Sequence, residues 1–244
     1  MTMLRLRSHS RGLGLSPRRH ARHDAAAIVQ DGRVAEWRFD EGSGQVLTDY
    51  TGNGHNGRLG STTGADAADP AWTARGLSFD GGDFVECDNA GISGTIPRTI
   101  IAVMKRVGTN EFGCEWAGSG GGGTRLTLKC NGVANVLLIE YAAGGTSLLT
   151  LPVAQDTWHF CGYTQSGNNA NTGIGYLNGN AEAVTLNRSI NTAGNLFWGK
   201  IAGGAKIMEA AYGLVYNRVL SPAEVEQNRQ ALKAILATRG ITLP

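Results

Sequence analysis

The sequence predicts an all-β fold, a sandwich or barrel of many short strands, closed by one C-terminal helix. Glycine is abundant, with 36 copies in 244 residues, and glycine at this level is typical of frequent tight turns. About a dozen short apolar stretches are separated by Gly, Asn, Asp and Ser, which is the pattern of strands joined by turns. The length fits one large domain, although length alone leaves two domains open.

Residues 1–33 are predicted to be a basic arm in front of a domain at 34–244. Residues 1–35 hold seven Arg and two Asp, a net charge of +5, and the other 15 Lys and Arg against 18 Asp and Glu leave −3 on the rest. Without a periodic apolar face, the arm cannot offset its ordering entropy alone, so we expect it to be extended or disordered until it docks. Its predicted partner-binding residues are Arg5, Arg7, Arg11, Arg18, Arg19 and Arg22. A solvated tail and a misassigned start codon are the alternatives.

Short apolar stretches give the predicted strands. In chain order these are 34–39, 57–59, 77–79, 84–87, 99–105, 111–117, 124–129, 136–141, 147–153, 158–165, 174–177, 182–186, 196–200 and 210–216. Ile100 to Met104 are apolar on both faces, which favours a central strand. Asn178-Gly179 is a hairpin turn signal between two of the strands.

One helix is predicted at residues 221–239. Ser221 is a favourable N-cap, Pro222 suits the first helical position, and Glu224 completes a capping box. Gly240 can end the helix. The side chains predicted to face the sandwich are Val225, Asn228, Leu232, Ile235 and Leu236.

Neither a secretory signal nor a membrane span is predicted, because no apolar run reaches the required length. We therefore expect the chain to fold in the cytoplasm in which it is made. The four cysteines, Cys87, Cys114, Cys130 and Cys161, form no CxxC pair, which disfavours zinc. We expect buried, reduced thiols, with a disulfide as the alternative in an oxidising environment.

The sequence offers no pattern of catalytic residues. It lacks the alternating carboxylates Glu-x-Asp-x-x-Glu of a glucanase strand, a His-Glu-x-x-His motif, a Gly-x-Ser-x-Gly elbow and a dinucleotide-binding glycine signature. We therefore expect no enzymatic activity. The arm has no aromatic residue to stack on bases, so nucleic acid is not an expected partner either.

The loop after the first predicted strand, residues 40–59, is rich in Asp, Asn and Gly. Oxygen ligands on a bendable chain are what Ca²⁺ prefers, at roughly 2.3–2.6 Å. The same residues also form Asx turns, in which their side chains accept local N–H groups. Both interpretations stay open from the residues alone.

Five ordered motifs resemble the laminin-G-like, concanavalin A-like jelly-roll family. They are Trp37–Leu59 with Asp-Glu-Gly-Ser-Gly and Asp-Tyr-Thr-Gly-Asn-Gly-His-Asn-Gly, then Gly76–Val85, Thr157–Phe160, Tyr176–Gly179 and Gly213–Ser221. The resemblance covers roughly residues 34–236. It implies an all-β, two-sheet antiparallel jelly-roll sandwich with a C-terminal α-helix and an extended N-terminal arm.

The resemblance also implies a structural calcium held by Asp49, Asn53 and His55. An acidic residue on the last strand would complete this site, but Ala occupies the usual position and Glu209 is offset from it. Glycan binding is the usual function in the family and needs exposed aromatic rings. Trp72 and Trp116 lie beside predicted loops and are the candidates for stacking on a glycan, whereas Trp37 and Trp158 fall on core strands.

The C-terminal motif resembles that of laminin-G-like proteins among bacteriophage structural proteins. This implies a non-enzymatic virion protein, a capsid decoration or tail-associated subunit assembled in the host cytoplasm. Its expected partners are further copies of itself or capsid and tail proteins, contacted through the basic arm. The alternative is a glycan-binding adhesion module on an extracellular surface. The step from fold to role is an analogy, because this fold supports many functions.

Overall fold

The computed structural model describes residues 27–116, 125–130, 134–141, 145–167, 172–185, 192, 194–201 and 204–244, and the first 26 residues of the predicted arm lie outside these ranges. Within them the chain forms short strands and one helix. The first nine strands are β1 (Arg33–Trp37), β2 (Val46–Leu47), β3 (Gly57–Leu59), β4 (Ala71–Thr73), β5 (Gly76–Asp80), β6 (Val85–Cys87), β7 (Arg98–Arg106), β8 (Gly113–Trp116) and β9 (Leu126–Cys130). The others are β10 (Val136–Tyr141), β11 (Gly145–Pro152), β12 (Trp158–Gln165), β13 (Thr172–Leu177), β14 (Asn180–Thr185), β15 (Leu196–Trp198), β16 (Lys200–Ile201), β17 (Gly204–Ala205) and β18 (Ile207–Tyr216), followed by α1 (Pro222–Ala237).

Two antiparallel sheets form the predicted sandwich. Sheet A has the order β14-β13-β12-β7-β18-β5-β4, with β1 also paired to β18. Sheet B has the order β11-β10-β9-β8-β15-β6-β3-β2, and β16 and β17 form a separate hairpin. The all-β, two-sheet fold class is therefore confirmed.

The main core lies between the two sheets. Trp198 of sheet B packs edge-on against Trp37 and Phe39, with ring centroids 5.8 and 5.3 Å away. Gly213 is required beneath these rings, because a Cβ atom there would lie 2.6 Å from Trp198. The four cysteines are buried in this same core, as predicted.

The helix α1 packs on the outer face of sheet A and forms a second core there. The capping box of Ser221 and Glu224 is present as predicted. Gly240 has a φ of 69°, and the N–H of Ile241 donates to the carbonyl of Leu236, which closes the helix. The predicted set of sheet-facing helix side chains is wrong at Ile235, which is 37% exposed. Ala231 is buried instead.

Residues before β1 already pack on this second core. Ile28 and Val29 are buried. The amide oxygen of Asn228 accepts the N–H of Val29 at 2.8 Å, and its Nδ2 donates to the Tyr216 hydroxyl at 3.0 Å. The tail of the predicted arm, residues 27–33, is thus tied to both the helix and the last strand. Among the described residues, no helix is long and apolar enough to cross a membrane.

Candidate functional site

The first loop is organised around the Asp49 carboxylate, which is 5% exposed. Its Oδ1 accepts the N–H groups of Glu36 and Thr51, both at 3.0 Å, and its Oδ2 accepts the N–H of His55 at 3.1 Å. The Thr51 hydroxyl donates to both oxygens at 2.8 Å. Burial alone would raise the pKa of Asp49, but these donors lower the pKa below its ordinary value.

The side chains of Asn53 and His55 form their hydrogen bonds with groups other than Asp49. Asn53 Nδ2 donates to the Val34 carbonyl at 2.9 Å, and His55 Nδ1 lies 2.8 Å from the Asp88 carboxylate. The His55 carbonyl accepts the indole N–H of Trp37 at 2.8 Å. The loop is therefore fastened to β1 by hydrogen bonds of the Asx type.

The arrangement of oxygen atoms around Asp49 does not fit a calcium ion. Calcium needs converging oxygen atoms, whereas the oxygens of Asp49 face protein N–H and O–H donors, which would repel a cation. Glu209 forms an ion pair with Lys105 at 2.7 Å instead. In the described ranges, no group of three or more His, Cys, Asp or Glu residues is placed to hold a metal. The calcium site stays a prediction, to be tested by metal addition.

Of the two tryptophans predicted to stack on a glycan, one lies in the core and the other is partly buried. Trp116 is 1% exposed, because β8 is an inner strand of sheet B and its ring points into the core, so it is corrected to a core residue. Trp72 on the edge strand β4 is partly buried, and its indole N–H donates to Gly44 O at 2.9 Å. Trp37 and Trp158 are buried, as predicted. The arginines of the arm lie outside the described residues.

A row of side chains crosses the outward face of sheet B, and we call it the sheet B row. Neighbours in the row are directly opposite one another on adjacent strands. In spatial order the row is Arg58, Glu86, Phe197, Glu115, Thr127 and Glu140. Glu115 lies between the core residues Cys114 and Trp116, so strand alternation directs it away from the core.

Ion pairs and a hydrogen bond connect members of the row with one another and with Arg125. Arg58 contacts Glu86 at 2.6 Å, and Thr127 Oγ1 donates to Glu115 at 2.8 Å. Arg125 reaches Glu115 at 3.5 Å and Glu140 at 2.5 Å, which bridges the two carboxylates. Sequence reasoning missed this cluster, because its glutamates are on separate strands and no local spacing connects them.

Aromatic rings lie at the middle of the row. The ring centroids of Phe84 and Phe197 are 6.1 Å apart, and Lys200 Nζ is 4.6 Å from the first and 5.3 Å from the second. Both rings are partly exposed, as are the ends of the row, whereas Glu115 and Thr127 are buried. The row thus combines apolar surface, carboxylate acceptors and cationic donors.

A separate cleft lies between β1 and the helix, with a volume of about 340 Å³. Its lining residues are Ile28, Gln30, Arg33, Glu36, Arg38, Asp40, Tyr212 and Ile235. Glu36 is 2% exposed and is held by Arg33, by Arg38 Nε at 2.9 Å and by the Tyr212 hydroxyl. Burial and the Glu36 carboxylate both raise the pKa of Tyr212, so Tyr212 stays a neutral hydrogen-bond donor.

No protein-family model matches the chain, and no curated protein sequence matches it. Solved structures match its fold. Trypanosoma rangeli sialidase aligns with a TM-score of 0.62 at 16% identity, over 86% of this chain and 34% of the sialidase. Domain 4 of AbnA, an extracellular arabinanase from Geobacillus stearothermophilus solved with arabinotriose, aligns with a TM-score of 0.61 at 14% identity, over 82% of this chain and 98% of the domain.

The receptor-binding domain of botulinum neurotoxin D aligns with a TM-score of 0.57 at 12% identity, over 84% of this chain and 54% of the toxin chain. This chain therefore spans about a third of the sialidase and about half of the toxin chain. At such low identities the similarities establish the β-sandwich and nothing finer. The sialidase has been solved with sialic acid, and the neurotoxin D ligand-binding domain with N-acetylneuraminic acid.

Proposed function

We propose that this chain is a carbohydrate-binding module that holds an extended oligosaccharide along the sheet B row. The observation that carries the proposal is a continuous line of polar and aromatic side chains across six adjacent strands. The helix covers sheet A, and the described part of the chain contains no second helix that could cover sheet B.

The chemistry of the row suits sugar hydroxyl groups, which both donate and accept hydrogen bonds. Glutamates supply acceptors and the paired Arg and Lys side chains supply donors. Adjacent strands are about 4.8 Å apart, so five strand-to-strand steps give a row of about 24 Å. A row of that length favours a chain of several sugar units over a single monosaccharide.

The two phenylalanine rings supply the apolar component. Glycan and ligand sites combine aromatic surface with a few placed polar groups, and Phe84 and Phe197 lie beside Glu86 and Lys200 in this arrangement. The fold neighbours solved with arabinotriose or sialic acid support a carbohydrate ligand. We propose binding rather than catalysis, because each glutamate of the row is engaged by a neighbouring side chain.

Glycan-array screening followed by calorimetry of the Arg125→Ala and Phe197→Ala variants tests this proposal. We expect each substitution to weaken oligosaccharide binding by about 10- to 100-fold, the range for loss of a charged hydrogen bond or an aromatic anchor. Glu209→Ala is the matched control, since it breaks a partly buried ion pair on sheet A.

The thermal midpoint of each variant shows whether the fold is retained. Binding that falls equally in Glu209→Ala, or that survives both sheet B substitutions, would contradict a site on the row. Trp72→Ala tests the partly buried ring at the sandwich edge as an alternative platform. Loss of binding in that variant alone would move the site to the edge.

The uneven charge of the chain favours a second candidate, the virion structural subunit. A segment of net charge +5 in front of a body of −3 suits attachment to an acidic neighbouring surface. Deleting residues 1–26 should then abolish co-purification with particles and leave glycan binding unchanged. Normal decoration of particles by the shortened chain would exclude the arm as the attachment element.

A further inference from the structure

The cleft between β1 and the helix contains an arginine with a free hydrogen-bonding edge. Arg38 uses Nε to hold Glu36 at 2.9 Å. Within the described residues its two terminal nitrogens have no hydrogen-bond partner. The side chain is 43% exposed, so these nitrogens are open to solvent. Two parallel N–H donors of a guanidinium match the two oxygens of a carboxylate.

Besides the Glu36 carboxylate, two contacts hold Arg38 in place before any ligand arrives. Its guanidinium carbon lies 4.2 Å from the centroid of the Tyr50 ring, and its carbonyl accepts a hydrogen bond from Arg239 at 2.8 Å. The next residue, Phe39, has a φ of 56° and is buried, so the chain turns there and leaves Arg38 outside the core. A side chain fixed in this way loses little entropy on binding.

The charges that line the cleft balance one another before a ligand binds. Arg33 and Arg38 contribute two positive charges, and Glu36 and Asp40 contribute two negative charges. Just outside the lining, Arg239 and Glu41 add one charge of each sign. A singly charged carboxylate disturbs this balance less than a phosphate group, whose charge is about −1.5 to −2.

The remaining surfaces of the cleft suit a sugar ring. Ile28 and Ile235 form an apolar wall, and Ile235 is 37% exposed. Gln30 and Asp40 provide polar groups for hydroxyls beside it. We propose that the cleft binds a carboxylate-bearing sugar, with the terminal nitrogens of Arg38 on its carboxylate, independently of the sheet B row.

Calorimetry with N-acetylneuraminic acid and glucuronic acid tests the proposal on the full chain, with glucose and acetate as reference ligands. We expect the acidic sugars to bind more tightly than either reference. Arg38→Gln should weaken their binding at least about tenfold, because a charged hydrogen-bond pair is lost. Arg38→Lys keeps the charge but lacks the two parallel N–H donors, so its affinity should lie between those of the wild type and Arg38→Gln. Arg75→Gln, at an exposed arginine outside the cleft, is the matched control and should leave binding unchanged.

Tyr50→Ala provides a second variant that leaves the Glu36 ion pairs intact and should weaken the same ligands. Equal affinity for acetate and the acidic sugars would overturn the sugar part of the proposal, and full binding by Arg38→Gln would overturn the site. The row and the cleft are separable, since Arg125→Ala should retain the acidic monosaccharides and Arg38→Gln should retain the oligosaccharide.

Discussion

At the scale of single residues, Glu224 connects three parts of the molecule. Its carboxylate accepts hydrogen bonds from the Ser221 N–H at 2.8 Å and from Arg218 at 2.6 and 3.1 Å. Arg218 in turn contacts Asp31 at 2.9 Å. The capping box was predictable from local spacing. The contacts of Arg218 with Glu224 and Asp31 were not, because they depend on where the chain before β1 packs.

The stability contributed by Glu224 should depend on pH. Hydrogen bonds from Arg218 and Ser221 lower its pKa from 4.5 to about 2. A carboxyl group whose pKa is lower in the folded state stabilises the protein above its unfolded pKa, and this contribution is lost as the pH falls towards the folded pKa. Glu224→Gln should therefore lower the free energy of unfolding by about 1 kcal/mol at neutral pH. Urea unfolding should show this difference closing between pH 4.5 and about 2, and a constant difference would contradict the assignment.

At the scale of elements, local signals predicted the long strands and the helix well. Three predicted strands, 57–59, 136–141 and 158–165, have the bounds that the structure gives to β3, β10 and β12. The short strands β2, β4, β16 and β17 have two or three residues each, too few for a periodic pattern, so that only their partners define them. The sheet B row was also beyond prediction, because strand register depends on packing and turn geometry across distant segments.

The first loop is the element on which the calcium prediction depends. Asp49→Ala should lower the free energy of unfolding by roughly 2–4 kcal/mol, because several buried donors lose their acceptor. Asn53→Ala, which removes one exposed hydrogen bond, should cost less than about 1 kcal/mol. Thermal unfolding of the wild type should be the same in calcium and in a chelator. A midpoint raised by calcium in the wild type but not in Asp49→Ala would establish the metal site instead.

At the scale of the whole molecule, the two sheets have different surroundings. Sheet A has apolar residues on both faces, one against sheet B and one against the helix. Sheet B is apolar only towards sheet A and carries the charged row outside. This asymmetry separates the charged face of sheet B from the cleft beside the helix. The pattern of apolar residues predicted the layers, whereas the surface chemistry emerged only from the assembled sheets.

The layer between the sheets should also control the reactivity of the thiols. All four cysteines are buried in it, and burial raises the pKa of Cys130 to about 11 and raises the pKa of the other three as well. Because the thiolate is the reactive form, the native protein at pH 8 should not react with a thiol reagent, and all four groups should react after unfolding. Ser61→Cys, at an exposed position, should react at once and serves as the positive control. Rapid labelling of a native thiol, or fewer than four thiols in non-reducing denaturant, would contradict a closed core with reduced cysteines.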